Sequence, residues 1–176
     1  MKFSTFEAPC GRLLLGVHGN RLCLCDWITG ERTEKTLRRL NRYAMAPTSG
    51  DDGELLDIAA TQLHAYFSGS LREFDIPLLP LGTPFQLRVW QALLPIPYGE
   101  KGSYKDIASA IGLPRGVRAV ACAIGANPLS IFIPCHRIVG ADGSLTGYAG
   151  GLEAKSYLLR LERGMESQRA LPFEAL

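Results

Sequence analysis

The sequence predicts an α+β chain in two parts: an N-terminal α/β domain with a short antiparallel sheet and helices over residues 1–80, and a mostly helical domain over residues 81–176. Three observations lead there. Leu13-Leu14-Leu15 and then Leu22, Leu24 and Ile28 flank the turn His18-Gly19-Asn20, which is strand–turn–strand patterning. Residues 54–67 carry Leu55, Leu56, Ala59, Leu63, Tyr66 and Phe67 on one face at helical spacing. Beyond residue 84 the apolar residues come in short helical runs cut by Gly and Pro.

In chain order, residues 1–30 read as strands, and residues 34–43, EKTLRRLNRY, as a solvated helix. Ala46 to Gly53 is a breaker stretch, followed by the helix over 54–67 and a short extended segment from Phe74 to Leu78. The Pro- and Gly-rich run Pro77 to Pro84 marks the domain boundary. Pro84 suits a first helical turn, and over 84–94 Val89, Leu93 and Leu94 form the inner side with Trp90 beside them. After the turn Pro97-Tyr98-Gly99-Glu100, Ser103 N-caps the next helix with Asp106 three residues on. Gly112-Leu113-Pro114 breaks that helix and another follows over 115–126. Helix, tight Gly-containing turn, helix is helix-turn-helix spacing. The second helix opens with Arg115 and Arg118 and carries Gly116, Ala119, Ala121 and Ala123, small enough for close approach to a nucleic-acid backbone. The same small residues suit a helix packed in a core, so spacing alone leaves both readings open.

Composition narrows the function classes. The 176 residues are 47% hydrophobic and 20% charged, which is ordinary globular usage. No apolar run approaches the ~20 residues that cross a bilayer, and MKFSTFEAPCGRL has no apolar signal core, so no membrane partner is expected and the cytoplasm is the default location. Net charge is only +2, too small for a binder driven by charge alone; a nucleic-acid contact would rest on a few placed arginines. Five cysteines, at 10, 23, 25, 122 and 135, give an odd count without a disulfide framework. Cys23 and Cys25 read as small buried side chains, with a zinc site shared with Cys10, His18 or His64 as the alternative. No metal and no cofactor are expected.

Residues 131–139, IFIPCHRIV, carry the chemistry. The apolar run Ile131-Phe132-Ile133 implies burial, Pro134 fixes the backbone, and Cys135 is followed directly by His136. A buried thiol is inert unless its thiolate is stabilised, and an adjacent imidazole can do that directly or through a water. A carboxylate on the far side would orient the imidazole. Glu162 is the candidate, although spacing alone does not identify it.

Ile133-Pro134-Cys135-His136-Arg137 resembles the active-site signature of the O6-alkylguanine-DNA alkyltransferases. The resemblance spans roughly residues 82–164. It takes in Gly82-Thr83-Pro84-Phe85-Gln86, Val89-Trp90, Tyr98-Gly99-Glu100, Ser103-Tyr104, Arg118-Ala119-Val120, Asn127-Pro128, Gly147-Tyr148-Ala149-Gly150-Gly151 and Leu158-Leu159-Arg160-Leu161-Glu162. The first 80 residues are similar only in length and strand–helix pattern.

The resemblance implies a winged helix-turn-helix in the second domain and a suicide activity. The alkyl group of O6-alkylguanine, and of O4-alkylthymine, in double-stranded DNA would pass irreversibly to Cys135, with the base flipped through the minor groove. His136 would take the thiol proton through a water, Glu162 would orient His136, Asn127 would support the turn, and Tyr104 would protonate the departing guanine. Arg118 would fill the hole left by the flipped base, with Arg115, Ser103, Tyr104 and Ala119 also at the DNA. The backbone around Cys135, Ile138 and Ala149 would bond the guanine edge, and Tyr148 would wall the alkyl pocket. Ser130 and Thr146 would border that pocket, where some relatives carry proline and glycine. The chain would act as a monomer.

Some positions depart from the family pattern. Ala121-Cys122 stands where many relatives carry a glycine first, Gly125 lacks a basic side chain found in some, and Phe85 stands where some relatives place zinc-site residues. Three rival readings are a non-enzymatic lesion binder, a cysteine hydrolase using Cys135, His136 and Glu162, and a winged-helix regulator. The first replaces the cysteine with tryptophan, which Cys135 excludes. Steady turnover of an ester would mark the second, and slow labelling of Cys135 the third.

Overall fold

The computed structural model describes residues 1–43 and 52–164. The breaker stretch assigned to 46–53 lies mostly outside them. Strands β1 (Lys2–Ala8), β2 (Gly11–Val17) and β3 (Leu22–Trp27) form one antiparallel sheet in the order β1-β2-β3. In β1 the side chains alternate as a half-buried strand requires, with Phe6 in the core and Glu7 in solvent. β3 differs: all six of its residues are buried. Its outer edge is covered by the chain that leads to the thiol, since Cys25 N donates to Pro128 O at 2.8 Å and Ser130 N to Cys25 O at 2.6 Å. A free sheet edge is thereby converted into a contact between the two halves of the molecule.

Helix α1 (Glu31–Asn41) begins three residues before the predicted start and carries the exposed i,i+4 pairs Glu31–Lys35 and Glu34–Arg38. Helix α2 (Asp52–Phe67) lays Leu55, Ala59, Leu63 and Tyr66 into the core against the sheet. Gly82, in the connection that follows, lies so close to the Trp90 ring that an added Cβ would sit 2.5 Å from it. Helix α3 (Pro84–Gln91) starts with a full capping box made by Thr83 and Gln86. It stops earlier than the hydrophobic pattern implies. Leu93 N and Leu94 N bond back to Trp90 O and Gln91 O, three residues away, so the 3.6-residue phase is lost. As a result Leu94, expected on the inner side, is 49% exposed, while Trp90 is buried and donates Nε1–H to Ala123 O at 2.7 Å.

Strand β4 (Gly102–Ser103) leads into α4 (Tyr104–Ala110), where Ser103 and Asp106 form the expected capping box. Gly112, at φ +72°, makes the turn that a side chain would strain. Helix α5 (Val117–Gly125) follows with Gly116 at its N-cap, so Arg115 lies in the turn and not on the helix as expected. The connection after α5 runs to a 3-10 turn at Cys135–Arg137, then β5 (Ile138–Val139), which pairs parallel with β4. Helix α6 (Gly151–Glu162) closes the described chain. Helix α5 is tied to the N-terminal half at its C-terminal end: Arg32 and Arg39 of α1 donate to Gly125 O at 2.8 Å and Ala126 O at 2.6 Å. Cations at a helix C-terminus satisfy its open carbonyls and oppose its dipole. One core of buried side chains runs through both halves. No helix among the described residues is long and apolar enough to cross a membrane.

Candidate active site

The run that leads to Cys135 is folded on Asn127. Its side-chain Nδ2 donates to Ile133 O at 3.0 Å and to Cys135 Sγ at 3.1 Å, and its Oδ1 accepts from Leu129 N at 3.0 Å. Within this turn Ile131 has φ +74°, a conformation that β-branched residues avoid. The Asn127 bonds and the Leu129–Ile133 backbone bond over-determine the turn and hold the strain. The expected burial of Ile131-Phe132-Ile133 holds, each being 5% exposed or less.

Cys135 is 5% exposed and its thiol is pushed up to about 11 by burial, against the Asn127 hydrogen bond, which favours the thiolate. His136 is wholly buried. Its Nε2 lies 2.7 Å from Glu162 Oε1, while Nδ1 has no protein partner among the described residues. An ionised carboxylate only accepts, so Nε2 carries the hydrogen and Nδ1 presents a lone pair. Burial lowers the imidazole pKa from its ordinary value, while the Glu162 bond acts in the opposite sense. Burial also opposes ionisation of Glu162, but hydrogen bonds from His136 and Arg137 outweigh it and hold the carboxyl well below the usual carboxylate range. The resting site thus holds a neutral thiol, a neutral imidazole and a charged carboxylate.

Structure brings Glu162 onto His136, the residue after Cys135, and adds members that sequence reasoning missed. Arg137 Nε and Nη2 each lie 3.0 Å from a Glu162 oxygen, and Nη1 donates to Ile96 O at 2.6 Å. Gly99 N donates to Glu162 Oε2 at 3.0 Å, and Tyr66 of α2 donates to Glu162 Oε1 at 2.7 Å. Lys155 is fully buried, with Nζ 2.8 Å from Thr146 O. Burial pushes its amine down to about 8. Arg137 had a signal in the sequence, a cation inside an apolar run, and Gly99 lies in a motif of the family pattern; Lys155 and Tyr66 had none.

A groove of ≈550 Å³ lies between α5 and the loop before α6, lined by Tyr104, Arg118, Ala121, Thr146, Tyr148 and Ala149 among others. A smaller cavity of ≈10 Å³ joins Cys135 to Gly147, Tyr148 and Ala149. Tyr104 faces the loop, its hydroxyl 3.3 Å from Thr146 Oγ1. Arg115, Arg118 and Ala119 are exposed at and beside the start of α5, and Ser103 is partly exposed. Tyr148 is fixed by Trp27, whose Nε1 donates to its hydroxyl at 3.1 Å. Gly150 lets that indole approach, since an added Cβ would lie 2.6 Å from it.

Ser130 and Ile138, both expected at the substrate, are held by backbone pairing. Ser130 is wholly buried, and its hydroxyl donates to Asp26 Oδ1 at 3.3 Å, because pairing with β3 turns it toward the N-terminal half. Ile138 is buried in β5 opposite Gly102 and does not line the groove. Cys23 and Cys25 are fully buried, the Cys23 thiol donating to Gly16 O at 3.3 Å.

Fold and site together define a helix-turn-helix protein built around one buried thiol in an imidazole–carboxylate network. Two family models match it in succession: the ribonuclease-like domain of 6-O-methylguanine DNA methyltransferase over residues 1–80, and its DNA binding domain over residues 84–164. The chain belongs to the 6-O-methylguanine-DNA methyltransferase family. It is 44% identical over 162 residues to a methylated-DNA–protein-cysteine methyltransferase of Methanosarcina barkeri, covering 92% of this chain and 97% of the relative. Identity to the Mycobacterium bovis protein of that name is 45% over 161 residues, covering 92% of each. The solved Mycobacterium tuberculosis OGT in complex with DNA superimposes with a TM-score of 0.76 at 43% identity, covering 93% of each chain.

Proposed function

We propose that this chain repairs DNA as a methylated-DNA–protein-cysteine methyltransferase, taking the alkyl group of O6-alkylguanine, and of O4-alkylthymine, onto Cys135 once per molecule. The observation that carries this reading is the Cys135 thiol at the inner end of the α5 groove, followed in the chain by a buried imidazole whose free nitrogen is the basic one. The residues to 80 serve as a supporting domain and those from 81 as the DNA-binding and reacting domain.

The thiol proton passes to His136 Nδ1 through a water, and Glu162 stabilises the imidazolium that forms. The thiolate attacks the saturated carbon, the carbon–O6 bond breaks, and guanine leaves with a proton from Tyr104. Imidazolium and solvent restore the Tyr104 proton, so atoms and charge balance. A stacked guanine lies out of reach of a buried thiol. The base is therefore rotated through the minor groove into the space between α5 and Tyr148, and Arg118 takes its place in the stack. The product is a thioether, which water does not cleave, so the thiol is not regenerated. Lys155 stabilises the loop through Thr146 and favours the thiolate by its charge.

The test is intact-mass analysis. An excess of O6-methylguanine duplex should add one methyl per chain and no more, and peptide mapping should place it on Cys135. Continued release of guanine beyond one equivalent would rule out the single-turnover reading.

Alkylation should also weaken the protein. The ≈10 Å³ beside the thiol has room for about one water, so a methyl group overpacks it, at about 1–3 kcal/mol. The folded state alone bears that cost. The methylated protein should melt several degrees lower, roughly 2–4 °C per kcal/mol, and be cut faster by protease between residues 127 and 151. An unchanged or raised melting temperature after complete methylation would show that the pocket has spare room.

A further inference from the structure

We propose that Tyr66, from the N-terminal half, is a positioning residue for the reaction at Cys135, setting how strongly Glu162 draws a proton onto His136. The inference rests on His136 acting as the base in the reading above.

The geometry is specific. Tyr66 O–H and His136 Nε2 each lie 2.7 Å from the same carboxylate oxygen, Glu162 Oε1, and the two donors are 3.5 Å apart. A tyrosine in a core needs some acceptor for its hydroxyl. This one has the oxygen that also holds the imidazole. A carboxylate oxygen divided among several donors has less charge to offer each of them. Tyr66 is therefore placed to temper the pull of Glu162 on the His136 proton and to fix where Oε1 sits.

The phenol is held for this purpose. It is fully buried, with its ring edge-on to Phe67 at 5.4 Å and to Tyr98 at 6.0 Å, and tilted on Phe74 at 5.4 Å. Burial, and then the neighbouring Glu162 charge, push its pKa well above the ordinary value, so it remains a donor across the working range. The charged and titratable groups that face His136 are Glu162 and Lys155 of α6, Arg137 beside it and Tyr66 of α2, with Cys135 the preceding residue of the chain. Tyr66 is the one among these that the N-terminal half supplies. The proton-accepting strength of the site is thus built jointly by both halves of the chain.

The sign follows. Removing the hydroxyl leaves Oε1 to His136 and Arg137, the imidazolium is better stabilised, and the His136 pKa rises. More of the protein then holds a protonated, non-accepting imidazole at a given acid pH. In full-length Tyr66→Phe protein the His136 titration, followed by NMR of histidine-labelled protein, should move up by about one pH unit. The acid limb of the methyl-transfer rate should move with it, so that transfer at a pH below both titrations slows about tenfold while transfer near pH 9 stays within about threefold. Site-specific fluorotyrosine at position 66, a stronger donor of unchanged shape, should move both in the opposite direction, and it keeps the test open should the phenylalanine variant fold poorly. A His136 titration that is the same in wild type and in either variant, with only the melting temperature altered, overturns the proposal and reduces Tyr66 to a core residue. A titration that moves while the rate profile does not overturns the base role of His136 and leaves the Tyr66 coupling standing.

Discussion

Replacing Glu162 by alanine should cost more stability than any other single change in the site. The carboxylate accepts from His136, Arg137, Tyr66 and Gly99 in a space closed to solvent. Without it Arg137 keeps its charge with little water to screen it, and three further donors are left unmatched. Breaking a buried ion pair from one side costs about 3–5 kcal/mol. For a chain of this length that corresponds to a fall in melting temperature of roughly 6–20 °C. The loss should depend on pH in a defined direction. The Glu162 pKa is depressed in the folded state, so its contribution is fully present above the unfolded carboxyl value and disappears as pH falls through the folded one. Wild type and Glu162→Ala should therefore differ most at neutral pH and converge in strong acid. Activity should fall with stability, because nothing then fixes the hydrogen on Nε2. The expected loss of methyl-transfer rate is roughly 10²–10⁴-fold, the usual worth of a placed base. Thermal melts from pH 8 down into strong acid and single-turnover rates check both parts. A variant as stable as wild type at neutral pH would show that the network is dispensable.

Arg118→Ala should separate base rotation from chemistry. Arg118 stands exposed on the second residue of α5 at the rim of the groove, 17 positions from the thiol in sequence and outside its hydrogen-bond network. Rotating a base out of duplex costs a few kcal/mol, and each 1.36 kcal/mol is tenfold in rate, so losing the group that holds the gap should slow repair of duplex roughly 100-fold. The free O6-methylguanine base has no stack to leave, and its reaction should change by less than about threefold. Stability should be unaffected, since the side chain is exposed. Rates on the two substrates, measured side by side, decide the matter. Equal losses on both would place Arg118 in substrate binding and not in the stack.

The sequence by itself determined what local chemistry dictates. The strand and helix periods lie within single elements, so the sheet and α2 were legible. The Ser103–Asp106 capping box lies within four residues and was read correctly. Gly112 signalled the turn of the helix-turn-helix because its positive φ is disfavoured for residues with a side chain. The thiol and its adjacent imidazole were equally plain, and Glu162 came from the family pattern. The phase of α3 misled at Leu94, because the hydrophobic repeat does not report that the last turn tightens.

Tertiary structure alone decided the pairings between distant segments. Tyr66 meets Glu162 across 96 positions, Trp27 meets Tyr148 across 121, and Ser130 meets Asp26 across 104. Each is an ordinary residue in its own neighbourhood, and no local period marks it. Ser130 illustrates the reason. Its position in sequence, five residues before Cys135, says nothing of Asp26; β3 needs a partner along its edge and residues 128–130 supply it. That pairing accompanies a hydrogen bond from the hydroxyl to Asp26. Backbone donors and acceptors buried at a sheet edge must be matched somewhere, and which segment matches them is settled only when the chain is packed.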